Sequence, residues 1–231
     1  MTKIYWKLFI IIVIVGLFSS CSKCDDRTRI GFNGKVKVCL IRGYEPIKQF
    51  DEWDAGTIKS SGHIRMFFDE AGNEYKEELV DGNNQLHYKI LSQHDEKNIR
   101  HDVGYDEKDS IIFKRTLSFS KNKLVFSIFD NDGQKKFVDT VFYKKNKLKK
   151  EISIALKNNS IIDAKITMYE YDKNNNIISE KQIKPSGEIS FYTKYKYIEF
   201  DEKNNWTKRL DFDGKNPEKP ELVETRVFKY Y

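Results

Sequence analysis

From residue 34 to the end of the chain, apolar and polar side chains alternate along most segments, which is the two-residue period of a β-strand. The clearest unit is residues 197–213, YIEFDEKNNWTKRLDFD, where two alternating runs flank the polar stretch DEKNN. Asp in such a stretch can bond its own downstream backbone, and Asn tolerates positive φ. This pattern predicts a β-hairpin with a loop of about four or five residues.

Weaker copies of this unit recur, each with an aromatic residue, a polar turn and a second alternating run. They occupy residues 66–75 (MFFDEAGNEY), 103–111, 127–134 and 169–177, and a degenerate copy at 141–148 lacks the acid that the others carry before the turn. Their spacing is uneven, which favours a diverged array of hairpins over a solenoid with a strict period. Together with the alternating segments between them, they predict an all-β antiparallel meander of about ten to fourteen strands.

The two ends of this region read as strands, at residues 34–41 and 222–231, whereas residues 42–57 break the alternation and predict a loop across one end of the sheet. No sustained helical stripe follows residue 21. We therefore expect an extended, curved sheet or half-barrel. Whether it closes is left open by the pattern, and the loop and the charged last strand are its natural edge covers.

The amino terminus carries a different pattern. Lys3 and Lys7 precede an apolar run over residues 8–18, which is too short to span a bilayer but suits the core of a signal peptide. The following LFSSC resembles a bacterial lipobox, which implies cleavage before Cys21 and lipidation of that residue, although Phe18 stands where Leu is usual. The alternatives are a cleaved secretory signal or an uncleaved anchor. The predicted division is a helical signal peptide at 1–20, a lipidated Cys and tether at 21–33, and a hairpin domain at 34–231.

Three cysteines then become one lipidated residue, Cys21, plus Cys24 and Cys39. Outside the cytoplasm the latter two could form a disulfide, closing a loop worth about 3 kcal/mol in the chain-entropy model. Two free thiols are the alternative.

Lys23, Asp25 and Asp26 follow the lipidated position, and this arrangement resembles the export signal that carries Bacteroidota lipoproteins to the outer face of the outer membrane. The alternative is a solvated tether. The resemblance implies a lipid-anchored outer-membrane protein that faces the cell exterior. Removing Lys3 and Lys7 with the signal lowers the formal net charge from +6 to 39 basic minus 35 acidic side chains, or +4. Because both signs are mixed along the strands, we predict no nucleic-acid partner.

The repeated units, as in FDEAGNEY, YEYDKNNNI and IEFDEKNNWTKR, resemble the YD or RHS-like repeats of secreted bacterial proteins, in the degenerate form found in Bacteroidota lipoproteins. The resemblance covers most of residues 34–231. Departures such as Lys144 and Asp109 indicate that the repeat has decayed. It implies an all-β hairpin array outside the cell and carries over no catalytic residue.

Residues with catalytic or metal-binding chemistry are scattered. The four His have no ligand spacing, although His94 and His101 lie beside acids and could form a metal site if their strands faced each other. Asp-rich turns such as residues 130–133 look superficially like calcium loops, but the helices of an EF-hand are missing from the pattern. Nucleophile elbows, phosphate loops and HExxH are absent from the sequence, and adjacent acids such as Glu77 and Glu78 would lie on opposite faces of a strand. We predict no metal, no cofactor and no enzyme.

Aromatic side chains are the remaining candidates for binding. They could form an exposed platform for a sugar or an extended peptide, and the candidates are Tyr169, Tyr171, Tyr195, Tyr197 and Trp206. The alternative is that they pack across strands and hold the sheet together.

These features together predict a lipid-anchored cell-envelope protein, exposed at the surface, that acts as a non-catalytic binding or scaffold module. Its expected partners are the membrane, through the lipid, and a glycan, peptide or envelope protein. The alternatives are a periplasm-facing structural or assembly lipoprotein of the outer membrane and a glycan-acting enzyme.

Overall fold

The computed structural model describes residues 25–95, 99–120, 122–144, 147–174 and 176–231. These residues form one short helix, α1 (Asp26–Ile30), and fourteen strands. The strands are β1 (Val36–Gln49), β2 (Glu52–Phe68), β3 (Glu74–Val80), β4 (Leu86–His94), β5 (Ile99–Asp106), β6 (Ile111–Ser120), β7 (Lys123–Phe129), β8 (Lys135–Lys144), β9 (Lys147–Lys157), β10 (Ser160–Tyr171), β11 (Ile177–Ile183), β12 (Ile189–Phe200), β13 (Trp206–Asp213) and β14 (Pro220–Tyr230).

Every strand pairs antiparallel with the next one along the chain, and β14 pairs back onto β1, which closes the sheet into a barrel. The predicted all-β antiparallel meander is confirmed, including its hairpin at residues 197–213 and its last strand. The predicted open sheet or half-barrel is wrong, because the register Cys39↔Phe228 and Ile41↔Arg226 joins the first strand to the last. Closure removes the free edges that an open sheet would have to protect. The predicted signal helix at residues 1–20 lies outside the described residues.

Residues 42–57 are the second difference from expectation, since they form strand and not loop. β1 and β2 continue as a long hairpin to a two-residue turn at Phe50 and Asp51, both with positive φ (46° and 68°). The pairing is irregular on either side of Tyr44, where the register shifts twice. Gly and Pro near these shifts interrupt the alternation in sequence, although the backbone remains paired.

The outer half of this hairpin lies against β13 and β14. Asp54 accepts a hydrogen bond from Lys208 (Nζ to Oδ1, 2.8 Å), and Lys219 lies over the Trp53 ring, 6.0 Å from its centroid. Leu210 and Val223, cross-strand partners on the same two strands, are almost fully buried. The hairpin therefore covers the part of the outer face of β13–β14 around Leu210 and Val223.

The turns share one geometry that explains the sequence repeat. In the turn at residues 201–205, the Asp201 carboxylate accepts hydrogen bonds from the backbone N–H of Lys203 (3.0 Å) and Asn205 (2.8 Å), while Asn204 has positive φ. The same Asp contacts occur at residues 81–85, 106–110, 130–134 and 172–176. The Asp at the start of each turn therefore recurs because its carboxylate accepts backbone N–H groups of the turn, as expected for Asx-type turns.

The segment just before β1 is not a tether from residue 25 onward, because it enters one end of the barrel. The Asp26 carboxylate lies near Arg100 of β5, the Arg29 guanidinium lies over the Phe119 ring of β6 (3.4 Å), and Phe32 packs edge-on against Phe68 of β2. A segment that contacts so many strands of a closed sheet must lie on its concave side. We call residues 25–33 the plug, and the barrel end that holds it the plug end.

The other end carries the tip of the β1–β2 hairpin and the turns at residues 81–85 and 130–134, and we call it the hairpin end. Two apolar clusters fill the interior between the ends. One surrounds Phe32, Cys39 and Phe68, and the other surrounds Leu124, Tyr169 and Tyr195. The plug thus completes the first cluster, which would otherwise open to solvent at the plug end.

Candidate functional site

The inner face of the barrel can be followed strand by strand from the plug. Arg100 contacts the plug and therefore points inward, and residues that are direct cross-strand partners point to the same face of a sheet. Successive cross-strand pairings therefore trace a ring of inward side chains, which runs through Arg100, Leu117, Phe126, Asp139 and Ser153. Polar and charged residues are frequent in this ring. The interior is therefore a mixed apolar and ionic core, and it is the candidate functional site.

Two consecutive hairpins place the same Tyr–Glu pair inside the barrel. The Tyr169 hydroxyl on β10 donates to Glu151 on β9 (3.1 Å), and the Tyr195 hydroxyl on β12 donates to Glu180 on β11 (3.0 Å). All four side chains are buried. The alternation of each strand positions them inward, and the meander brings each pair together on neighbouring strands.

A second pair of contacts repeats in the same hairpins, nearer the plug end. The Tyr171 hydroxyl donates to the Leu148 carbonyl (2.7 Å), and the Tyr197 hydroxyl donates to the Ile177 carbonyl (2.8 Å). Each bond ties the end of one strand to the start of the strand before it. These tyrosines therefore fasten the barrel wall, as the cross-strand packing alternative predicts.

Trp206 completes the set of predicted aromatic residues and packs between arginines. The Arg226 guanidinium lies 3.6 Å from its ring centroid, and the Arg209 guanidinium lies 4.7 Å away and 4.2 Å from the Tyr195 ring. Arg209 also donates to Asp211 (2.7 and 3.1 Å). The structure thus brings Tyr169, Tyr171, Tyr195, Tyr197 and Trp206 together on the inner wall and not on an exposed platform, while their predicted binding role stays a prediction.

The glutamates of the Tyr–Glu pairs and the neighbouring Asp139 are buried with few positively charged side chains beside them. Burial raises the pKa of Glu151 to about 8, and the nearby carboxylate of Asp139 adds to the effect. Burial likewise raises the pKa of Asp139 to about 6 and the pKa of Glu180 above its usual range. At neutral pH Glu151 is therefore protonated in the folded barrel, which avoids the cost of an unpaired buried charge.

Charged groups near the plug form a separate buried network centred on Arg100. Its guanidinium donates to Asp102 (2.7 Å) and Glu74 (2.7 Å) and lies 3.4 Å from the plug residue Asp26. Arg115 donates to the second oxygen of Asp102 (2.6 Å). Asp26 therefore joins the plug to charges supplied by three different strands.

Asp26 is held in its ionised form by these partners. Burial alone would raise the pKa of Asp26, but the hydrogen bond with His94 (3.2 Å) and the positive charges of Arg100 and Arg29 lower it to about 2. The Asp26 carboxylate also accepts the backbone N–H of Glu74 (2.9 Å). The plug is thus fixed by charge-assisted hydrogen bonds as well as by Phe32.

The histidines considered as metal ligands do not converge. His94 faces inward and contacts Asp26, whereas His101 lies 3.3 Å from Asp95 on the outside. In the described part of the chain, no group of three or more His, Cys, Asp or Glu side chains is arranged to hold a metal ion. No helix among the described residues is long and apolar enough to cross a membrane.

Of the three cysteines predicted to be modified or paired, only Cys39 lies among the described residues. Cys21 and Cys24 lie outside the described residues, so lipidation and the Cys24–Cys39 disulfide stay predictions. Cys39 itself is buried in the apolar cluster beside the plug. Sequence reasoning missed the inner charges, chiefly Arg100, Asp102 and Glu151, because alternation defines two faces without indicating which one turns inward.

Comparison with known proteins adds a structural likeness alone. No family model matches the sequence, and no curated protein matches it. Among solved structures, the chain is similar to a porin-like protein from Bacteroides uniformis, with a TM-score of 0.45 and 9% sequence identity, over 85% of this chain and 98% of that one.

Proposed function

We propose that this protein is a lipid-anchored module of the outer membrane that stands outside the hydrocarbon layer and binds a partner without catalysis. The plug carries this proposal. Asp25, the first described residue, lies only four positions after Cys21, so an extended connection between them spans at most about 14 Å. A lipid on Cys21 would hold the plug end of the barrel close to the membrane surface.

The outer face of β2–β4 supports a barrel that is not surrounded by lipid. Arg65, Glu78 and Lys89 point outward there, and Glu78 lies within ion-pair distance of Arg65 (3.6 Å) and Lys76 (2.6 Å). Outward Arg or Lys near the middle of a bilayer costs about 2–4 kcal/mol each in a transmembrane barrel. Water is the more favourable surrounding for this side.

The β1–β2 hairpin is the best candidate for partner contact. The Phe50 side chain at its tip is fully exposed (101% relative exposure), and both Phe50 and Asp51 have positive φ. A bulky residue with positive φ is strained, and such strain is often retained where a side chain has a role. In our proposal Phe50 packs against an apolar surface of the partner, which is a glycan, a peptide or an envelope protein.

Buried acids of the interior favour a non-catalytic role. Glu151, Glu180 and Asp139 are buried inside the barrel, and Glu151 and Glu180 accept hydrogen bonds from its own tyrosines, so a substrate could reach them only after these side chains moved. A candidate catalytic acid must lie within hydrogen-bond reach of a bound substrate. In our proposal these acids have a structural role inside the barrel and take no part in catalysis.

Membrane attachment is tested by mass spectrometry of the mature amino terminus and by protease shaving of intact cells. We expect a lipid on Cys21, loss of membrane attachment in Cys21→Ser, and cleavage of the protein by external protease. A chain that retains Met1 and fractionates with the cytoplasm would contradict the proposal. Protection from protease despite a lipid would instead indicate the periplasm-facing structural or assembly alternative.

Partner contact is tested with a photo-crosslinking amino acid at position 50 in intact cells. Position 132 is the matched control, because Asp132 lies in an exposed turn at the same end of the barrel. We expect a discrete crosslinked species from position 50 that position 132 does not give. Equal, diffuse labelling from both positions would contradict a specific role for Phe50.

A further inference from the structure

The outer wall opposite the β1–β2 hairpin carries a continuous apolar surface. Cross-strand partners Val125, Thr140, Ile152, Ile166 and Ile183 form one outward row across β7–β11. A neighbouring outward row runs through Val138, Ile154 and Ala164, with Leu156 and Ile161 beyond it. We call this surface the apolar wall, and define it as residues 125, 138, 140, 152, 154, 156, 161, 164, 166, 168 and 183.

The size of the apolar wall distinguishes it from scattered surface residues. Five strands at about 4.8 Å spacing and three outward rows give about 20 Å in each direction, or about 400 Å². Patches of that size on a monomer are often functional. Ile161 and Met168 are exposed by 64% and 49%, so the hairpin that covers β13–β14 has no counterpart here among the described residues.

Basic side chains border the apolar wall. Lys123, Lys150 and Lys181 stand in the outward row nearest the plug end, interspersed with Phe142 and Met168. Lys123 and Lys150 form no ion pair with a described residue, while Lys181 lies 3.1 Å from Glu170, the acid on the outward face of the described β10. An apolar surface edged by lysines complements anionic headgroups and the apolar layer beneath them.

The position of the tether brings this surface within reach of a membrane. Five strands lie between the β1–β2 pair and the β8–β9 pair in either direction around the fourteen-stranded barrel. The apolar wall and the β1–β2 hairpin are therefore on opposite sides. If a lipid on Cys21 holds the plug end near the bilayer, which rests on the function proposed above, the barrel can lie down on β7–β11 with its hairpin directed away.

We propose that the apolar wall rests on the anionic surface of a phospholipid bilayer. Ile161, Ile166 and Met168 contact the boundary between headgroups and acyl chains, and Lys123 and Lys150 contact lipid phosphates. The contact is shallow, because the charged outer face of β2–β4 stays in water. It requires no lipid on Cys21, which only raises the local concentration of the barrel at the membrane.

The proposal is tested with the polypeptide from Ser22 onward, which contains the complete described barrel and plug and lacks the signal peptide and lipid. Its binding is measured by co-sedimentation with phosphatidylethanolamine vesicles with and without phosphatidylglycerol. We expect binding that requires phosphatidylglycerol and weakens as salt is raised. Lys150→Glu should weaken it at least about fivefold, since each basic residue near an anionic surface contributes about that factor.

Matched variants separate this surface from general effects. Met168→Glu and Ile161→Glu should each weaken vesicle binding about tenfold or more, whereas Val227→Glu and Lys229→Glu, on the exposed outer face of β14, should leave it unchanged. Thermal unfolding of each variant checks that the barrel is intact. A wild-type protein that does not bind phosphatidylglycerol vesicles, or equal losses in the two groups of variants, would overturn the proposal.

Self-association is the competing occupant of the apolar wall, and sedimentation velocity of the same polypeptide detects it. A dimer that Met168→Glu dissociates, without vesicle binding by either form, would assign the surface to a second copy and overturn the membrane proposal. Whether Cys21 is lipidated in cells is a separate question from whether the apolar wall binds vesicles. Vesicle binding without lipidation in cells would refute only the anchor, and lipidation without vesicle binding would refute only the apolar wall as a membrane contact.

Discussion

The Tyr195 hydroxyl lies 3.0 Å from the Glu180 carboxylate inside the barrel, and the same bond joins Tyr169 to Glu151 one hairpin earlier. The second tyrosine of each strand repeats as well, since Tyr171 and Tyr197 both donate to a backbone carbonyl at the start of the preceding strand. The two hairpins are therefore equivalent in their buried contacts, and the turns that follow them, at residues 172–176 and 201–205, share the same Asp contacts. Their acids also give the barrel a characteristic response to pH.

Stability of the wild-type barrel should fall as pH rises from about 4.5 to about 8. In that range Glu151, with its pKa raised from 4.5 to about 8 by burial, holds a proton in the folded state that it has released in the unfolded state. Its contribution to stability is fully present below pH 4.5 and is lost as pH rises through 8, with a slope of up to about 1.4 kcal/mol per pH unit. Urea denaturation at a series of pH values measures it.

Glu151→Gln should flatten this dependence, because the amide keeps a polar partner for Tyr169 and cannot titrate. Glu202→Gln, in an exposed turn, is the control and should retain the wild-type slope. An unchanged slope in Glu151→Gln would mean that Glu151 does not bind the proton.

Asp26→Ala should destabilise the barrel by about 3–5 kcal/mol, the usual cost of removing one partner from a buried ion pair. It leaves Arg100 with one acid fewer and removes the acceptor for the Glu74 backbone N–H. Hydrogen exchange should also become faster across the plug. Asp132→Ala, in an exposed turn, should change stability far less, and comparable losses in both variants would show that the plug is not fixed through Asp26.

Gly133→Ala should destabilise the protein by about 1 kcal/mol, because Gly133 has φ of +76°, a conformation that strains an Ala backbone. A Cβ at this position would meet no neighbouring atom, so the loss would come from backbone strain and not from a steric clash. Gly82→Ala is the matched control in another turn of the hairpin end, where φ is not positive and the nearest contact, with Ile58, is 3.4 Å. It should be close to neutral. Thermal unfolding measures both, and a neutral Gly133→Ala would contradict the strain argument.

Replacing Phe50 and Asp51 together with Asn and Gly should raise the free energy of unfolding by about 1 kcal/mol, because Asn and Gly suit a two-residue turn with two positive φ values. The β9–β10 turn already has Asn158 and Asn159 in this conformation, so Asn159→Gly should have a smaller effect. If the paired replacement destabilises the protein, Phe50 contributes packing that its exposure does not indicate.

Much of the fold was predictable because strand alternation and turn chemistry are local. Asp201 and Asn204 have the same roles in the structure as the sequence predicts for them, and the strand number lies within the expected range. Closure was not predictable, since the pairing of Cys39 with Phe228 joins residues that no local pattern connects. The long β1–β2 hairpin was also missed, because Gly43, Pro46 and Gly56 imitate the composition of a loop.

The candidate site was predictable only in part. The aromatic residues Tyr195 and Trp206 were identified, but they were expected on an exposed face, and the inward partners Arg209 and Asp211 looked like a solvated one. In an ordinary two-layer protein the apolar face packs and the charged face is wet. A closed barrel can reverse this choice, because its wall also encloses charged side chains that pair with each other across neighbouring strands.

The pairing of β1 with β14 also sets the order in which this protein can fold. During synthesis β1 is made long before β14, yet Val36 must wait for Tyr230, its partner in the closing ladder. Until the eleven residues of β14 (Pro220–Tyr230) arrive, β1 and the last strand of the growing meander each expose an unpaired edge, and such edges are open to aggregation. Folding of this barrel is therefore completed only when β14 is present, and a factor that shields the edge of β1 until then should reduce aggregation.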